Sequence, residues 1–212
     1  MVDNLASNAD RRASLVDDIR SPGGEPTAMS VMPYEFRDWT VEDLDRLPDD
    51  GLQYELLDGM LLVTPLPNIH HQRAKGRLLI LLARACPSDI EVLPGPLDWR
   101  PDRLTSLQPD VLVLGTKDFD ANVAETMILA VEILSPSTRR KDLFLKRSRY
   151  QDAGVPSYWI VDPEVPAITA LELVDGQYVT VGEAIGDEAV TLERPFSVTI
   201  VPATLVNRPQ QP

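Results

Sequence analysis

Residues 128–134 form an apolar run that a single charged residue, Glu132, interrupts. A Ser-Pro pair follows at 135–136, and a short apolar run that ends at such a turn signal predicts a buried strand. A carboxylate in a buried strand costs several kcal/mol unless a cation pairs with it or it binds a metal ion. The fold must therefore compensate the charge of Glu132.

A helix is predicted immediately after this strand, over residues 139–153, and Gly154 is a typical residue to end it. Lys146 lies on this helix, 14 residues after Glu132. Upstream, a second apolar strand begins at Asp110. Two strand carboxylates can hold a hard cation such as Mg²⁺, and a nearby lysine can orient a water or stabilise developing negative charge. This set of groups is suited to metal-dependent phosphodiester cleavage.

Four segments of the chain resemble the Uma family, which is described as putative restriction endonucleases of the PD-(D/E)XK nuclease superfamily. The segments are YELLDG at 54–59, PDV at 109–111, VEILSPST at 131–138 and KDLFLKRSRYQDAGVPSYWIVDP at 141–163. Together the resemblance covers roughly residues 34–174. It implies a restriction-endonuclease-like core, Mg²⁺ or Mn²⁺ as cofactor, and nucleic acid as substrate, with DNA favoured over RNA. A homodimer is a further expectation.

The resemblance also implies roles for individual residues. The catalytic set is Asp110, Glu132, Lys146 and Glu55, in which Asp110 and Glu132 bind the metal together with the Ile133 backbone carbonyl. The superfamily pattern expects the lysine at position 134, where this chain has leucine, so Lys146 is taken to replace it from the helix. Strand alternation alone favours a different orientation for Glu55, with its side chain facing outward.

The charge of the chain is distributed unevenly. A net charge of −13 argues against a generic nucleic-acid binder, yet residues 138–151 contain six basic residues and one acidic residue. Local potential decides where a polyanion docks. We therefore predict Arg139, Arg140 and Lys141 as phosphate contacts and His71 as a fourth nucleic-acid-binding residue. The alternative is that the basic run is a solvated helix face.

The remaining pattern predicts an α/β or α+β domain with a central mixed sheet flanked by helices. The domain is expected over residues 34–201, between a disordered N-terminal tail, 1–33, and a C-terminal tail, 202–212. Asp-Gly pairs at 58–59 and 175–176 predict two hairpins.

Other local signals divide the middle of the chain. Asn68 is expected to cap a long helix over residues 69–85. Residues 100–108 are predicted to form a polar loop.

Several protein classes are disfavoured by composition. No apolar run approaches the roughly 18 residues that a membrane helix needs. Cys86 is the only cysteine, which excludes an internal disulfide and a cysteine-based zinc site. A cytoplasmic protein without a membrane partner is the simplest expectation.

Two alternatives to a nuclease remain open at this point. The first is a catalytically inactive protein of the same fold that acts as a binding or assembly module, which net acidity and Leu134 favour. The second is purely structural: Glu132 pairs with Lys146 in an internal salt bridge without a metal. This second alternative predicts that Asp110 points away from Glu132.

Overall fold

The structure is a computed structural model that describes residues 38–64, 67–116, 122–135 and 141–207. The tail predicted over residues 1–33 lies outside the described residues. All of the described residues belong to one compact unit.

Twelve strands and four α-helices make up the described part of the chain. The helices are α1 (Val41–Leu44), α2 (Ile69–Ala85), α3 (Arg147–Asp152) and α4 (Pro202–Val206), and a π-helical segment, Lys141–Lys146, leads directly into α3. The strands are β1 (Gln53–Leu57), β2 (Met60–Thr64), β3 (Ile90–Pro94), β4 (Trp99–Asp102), β5 (Thr105–Leu107), β6 (Val111–Gly115), β7 (Leu129–Ile133), β8 (Ser157–Asp162), β9 (Ala167–Val174), β10 (Gln177–Ile185), β11 (Val190–Leu192) and β12 (Val198–Ile200).

A mixed six-stranded sheet forms the centre, in the order β10-β9-β8-β7-β6-β3. Strands β7 and β8 are parallel, whereas the other neighbours in this sheet are antiparallel. The helical segment between β7 and β8 makes the crossover that a parallel pair requires. A four-stranded sheet, β2-β1-β5-β4, and a β11-β12 ribbon complete the fold. The predicted α+β architecture with a central mixed sheet is confirmed.

The central strands bury both of their faces. Val131 and Val161 belong to a core that includes Leu78 of α2, whereas Ala130 and Tyr158 belong to a second core on the opposite face. Strands that are covered on both sides read as nearly continuous apolar runs. Alternation along β7 therefore directs Glu132 to the same side as Ala130.

Local signals in the sequence located several elements correctly. Both residues of the first predicted turn have positive φ, 48° at Asp58 and 80° at Gly59, as the Asp-Gly signal requires. The Asn68 side chain accepts hydrogen bonds from the backbone N–H groups of His70 and His71 and so caps α2. Among the described residues, no helix is long and apolar enough to cross a membrane.

Two predictions about irregular segments were wrong. The supposed loop over residues 100–108 contains parts of β4 and all of β5, because the Asp102 side chain turns the chain by accepting the Leu104 N–H at 2.8 Å. The supposed tail begins with α4, in which Leu205 is buried in the core beside α2. Packed structure therefore extends past residue 201.

Candidate active site

Asp110 and Glu132 lie at the same end of two neighbouring strands. Asp110 directly precedes β6, and its backbone N–H donates to the Val131 carbonyl at 3.0 Å. Glu132 is the next residue of β7 and is only 2% exposed. The Asp110 side chain is 17% exposed. The ladder thus places at one end of the two strands two acidic residues that are 22 positions apart in the sequence (132 minus 110).

Lys146 provides the positive charge that Glu132 requires. Its Nζ lies 3.1 Å from Glu132 Oε1 and 2.7 Å from Glu55 Oε1, and the residue is 4% exposed. Lys146 is the last residue of the π-helical segment, which presents it to the buried carboxylates. The structure therefore brings three of the predicted catalytic residues into one ion-paired cluster.

The outward orientation that alternation favoured for Glu55 was wrong. Glu55 is 3% exposed, and Leu56 and Leu57 beside it are buried as well. Its Oε1 accepts the Gln108 backbone N–H at 2.9 Å, while the Thr64 hydroxyl lies 3.4 Å from its Oε2. Alternation fails here because the residues at the end of β1 are enclosed on both faces.

Tyr150 is a member of the cluster to which the sequence assigned no role. Its hydroxyl donates to Glu132 Oε1 at 2.7 Å. Complete burial, followed by the negative charge of Glu132, holds the pKa of Tyr150 well above its ordinary value, so the hydroxyl keeps its proton and acts as a donor. Its spacing of four residues from Lys146, one helical turn, was the available signal.

Asp110 is held by a different set of groups. Its Oδ2 accepts the Ile133 backbone N–H at 2.8 Å and lies 3.0 Å from His71 Nε2. Lys75 Nζ lies 3.8 Å from its Oδ1. The structure thus places His71 against Asp110 in the interior, 6% exposed, instead of on the protein surface. Lys75 was missed by the sequence reasoning, although it lies one helical turn after His71.

The backbone around Asp110 depends on close packing at Gly95. The Gly95 N–H donates to the Asp110 carbonyl at 2.9 Å, and Lys75 Nζ donates to the Gly95 carbonyl at 2.9 Å. A Cβ at this position would lie 2.2 Å from the Pro109 carbonyl oxygen. Only glycine permits this approach of β3 to the start of β6.

The carboxylate oxygens at this end of the sheet are donors of the type that hard divalent cations prefer. Asp110, Glu132 and Glu55 carry three negative charges against the single positive charge of Lys146, and Lys75 compensates only part of the excess. Carboxylate and carbonyl oxygens are the ligands that Mg²⁺ prefers, and Mg²⁺ usually keeps several waters. Among the described residues, no group of three or more His, Cys, Asp or Glu side chains is arranged to hold a metal ion. A cation here would therefore rely on two carboxylates, a backbone carbonyl and water.

The structural alternative predicted an ion pair between Glu132 and Lys146, and that ion pair is present. The Asp110 carboxylate accepts a hydrogen bond from Ile133 and contacts His71 of α2, whereas Glu132 contacts Lys146 and Tyr150. The orientation of the Asp110 carboxylate relative to that of Glu132 stays a prediction.

The predicted basic contacts fall largely outside the structure. Arg139 and Arg140 lie outside the described residues, as does the side chain of Lys141. Arg147, which follows Lys146, is exposed to solvent.

Comparison with known proteins gives a consistent result. A family model described as "Uma2: Putative restriction endonuclease" matches residues 41–204. A crystal structure described as a putative nuclease belonging to DUF820, from Anabaena variabilis, is similar with a TM-score of 0.64. The two chains are 16% identical, and the similarity covers 79% of this chain and 97% of the other. No curated protein matches the chain.

Proposed function

This chain belongs to the Uma2 family, described as putative restriction endonucleases, and from that premise we propose that it is a metal-dependent endonuclease that hydrolyses DNA. The observation that carries the proposal is the placement of Asp110 and Glu132 at the same end of the neighbouring strands β6 and β7, with Lys146 fixed against Glu132.

Asp110, Glu132 and the Ile133 carbonyl are proposed to hold Mg²⁺ or Mn²⁺. When bound, such an ion polarises the scissile phosphate and lowers the pKa of a water ligand. Lys146 places a positive charge beside Glu132, where it is proposed to stabilise the negative charge that develops on the phosphate and to orient the attacking water. Glu55 keeps the ammonium group in position through the 2.7 Å ion pair.

Hydrolysis requires that a water oxygen bonds to phosphorus while the bond from phosphorus to the leaving oxygen breaks. The basic run over residues 139–149 is proposed to dock the DNA backbone through phosphate contacts, which position a substrate without reading its sequence. A homodimer, DNA rather than RNA as substrate, and a cytoplasmic location without a membrane partner belong to the same proposal.

The test is cleavage of supercoiled plasmid and single-stranded DNA by purified protein with Mg²⁺ or Mn²⁺. Glu132→Gln and Asp110→Asn remove one negative charge each with little change of shape. Glu172→Gln on β9 is the matched control, because Glu172 is also largely buried and pairs with Arg194 at 3.6 Å instead of with the cluster. We expect chelator and both site variants to abolish cleavage, and the control to retain it. Equal cleavage by wild type and Glu132→Gln would refute the assignment.

A catalytically inactive binding or assembly module is the second candidate. It is favoured by the burial of Lys146 between two carboxylates, which makes a stable ion-paired cluster without any substrate. It predicts that folded wild-type protein cleaves neither DNA nor RNA with either cation, yet retards DNA in a binding assay.

A further inference from the structure

We propose that His71 is a positioning residue for the cation site: it occupies one oxygen of Asp110, Oδ2, and so leaves the other oxygen, Oδ1, to bind the cation. The inference rests on the proposed function, and it assigns His71 a role in the interior instead of a contact with DNA.

The two oxygens of Asp110 have different surroundings. Oδ2 lies 2.8 Å from the Ile133 N–H nitrogen and 3.0 Å from His71 Nε2. Two donors at these distances occupy the lone pairs of a carboxylate oxygen. Oδ1 faces the Lys75 ammonium at 3.8 Å, which is beyond hydrogen-bond distance. Among the described residues, the Lys75 ammonium thus offsets part of the charge at Oδ1 without a hydrogen bond to that oxygen.

The imidazole of His71 has one polar contact among the described residues, and that contact is Asp110. Its Nδ1 is buried and has no hydrogen-bond partner there. Since a carboxylate can only accept, the proton of this bond resides on Nε2. A buried ring whose hydrogen bonding is directed at one carboxylate is suited to fix the orientation of that carboxylate.

The helix that carries His71 is itself fixed in place. Asn68 accepts the backbone N–H groups of His70 and His71 at 2.9 and 3.0 Å, which sets the start of α2. One turn later, Lys75 is tied to the Gly95 carbonyl. Groups that orient a metal ligand from behind commonly change metal affinity by about 10- to 100-fold when removed.

The first readout is the protonation of the two ring nitrogens of each histidine, measured by ¹⁵N NMR on the full chain. The chain has only two histidines, and His70→Asn assigns the spectrum because His70 is the exposed neighbour. We expect His71 Nε2 to carry a proton that is protected from solvent exchange, and diamagnetic Mg²⁺ to shift the His71 signal more than that of His70. An Nε2 without a proton would overturn the proposal.

The second readout is Mn²⁺ affinity, measured by calorimetry. We expect His71→Ala to weaken binding by about 10-fold or more. His71→Gln, whose amide nitrogen can replace Nε2 as a donor, should restore part of the affinity, and His70→Asn should match wild type. Thermal unfolding identifies any variant that does not fold, and the partial rescue by glutamine separates positioning from a general loss of packing.

The outcomes separate this proposal from the function on which it rests. If wild type binds Mn²⁺ and all three histidine variants bind it equally well, the positioning role is refuted and the cation site stands. If wild type binds no cation and cleaves nothing, both are refuted. Binding that is weakened in His71→Ala, restored in part in His71→Gln and unchanged in His70→Asn supports both.

Discussion

Replacement of Tyr150 by phenylalanine removes one hydroxyl from the buried cluster and leaves the aromatic packing in place. Trp99, Tyr150, Tyr158 and Tyr178 form a row in which successive ring centroids are 5.3, 5.3 and 5.9 Å apart. The Tyr150 hydroxyl donates to the charged Glu132 carboxylate, whereas the Tyr178 hydroxyl donates to the neutral Val155 carbonyl at 2.8 Å. Tyr178→Phe is therefore a matched control within the same row.

The magnitude follows from the charge of the acceptor. A hydrogen bond to a charged group contributes about 1.5–3 kcal/mol, and a neutral one about 0.5–1.5 kcal/mol. Lys146 still contacts Glu132 Oε1 in the variant, so the carboxylate is not left without a partner. We expect Tyr150→Phe to lower the free energy of unfolding by about 1.5–3 kcal/mol, roughly 1 kcal/mol more than Tyr178→Phe.

Urea denaturation followed by tryptophan fluorescence measures both losses, and Trp99 is a local probe because its ring lies next to that of Tyr150. The midpoints should fall while the dependence of free energy on urea stays constant. If Tyr150→Phe lowers the free energy of unfolding no more than Tyr178→Phe does, then the hydrogen bond from Tyr150 to the Glu132 carboxylate does not stabilise the cluster as described.

Three further outcomes are expected. Lys146→Met leaves two buried carboxylates facing each other, so it should lower the free energy of unfolding by about 3–5 kcal/mol in urea denaturation, and a loss below 1 kcal/mol would contradict the ion-paired cluster. Gly95→Ala should lower the free energy of unfolding by about 1–3 kcal/mol or more, because the added methyl group would collide with the Pro109 carbonyl. Gly76→Ala on α2, where nothing lies near the added methyl group, should instead raise it by about 0.5–1 kcal/mol in the same urea denaturation. Burial raises the pKa of both Tyr150 and Tyr178. Above about pH 10, the unfolded chain loses the two phenol protons, whereas the folded state keeps them. The contribution of the two tyrosines to the free energy of unfolding is therefore fully present below the unfolded pKa of about 10 and decreases as the pH rises above it. Urea titrations at pH 8 to 11 should show this decline, and each Tyr→Phe variant should reduce its slope by up to about 1.4 kcal/mol per pH unit.

Elements governed by local chemistry could be predicted from the sequence. The Asp58-Gly59 turn requires positive φ at both residues, and the cap at Asn68 concerns hydrogen bonds within three residues. The strand around Glu132 could be predicted because an isolated charge in an apolar run is conspicuous. These features depend on neighbours in the chain, which a single sequence displays directly.

The groups that surround the site depend on contacts that the sequence does not display. Glu55 reaches Lys146 across 91 positions (146 minus 55), and His71 reaches Asp110 across 39. Alternation gave the wrong orientation for Glu55 because it assumes one solvated face, whereas the end of β1 is enclosed. The four-residue spacing of Tyr150 from Lys146 indicates a shared helix face, but it does not show that the tyrosine hydroxyl contacts Glu132. Tertiary packing decided each of these positions.

The central claim is that Asp110 and Glu132 jointly hold a cation. The most direct measurement is an anomalous difference map from a crystal of the wild-type protein soaked with Mn²⁺. We predict a peak within about 2.0–2.6 Å of an oxygen of each carboxylate, on the Oδ1 side of Asp110. A map in which Mn²⁺ binds elsewhere, or in which this site stays empty at a saturating concentration, would contradict the account.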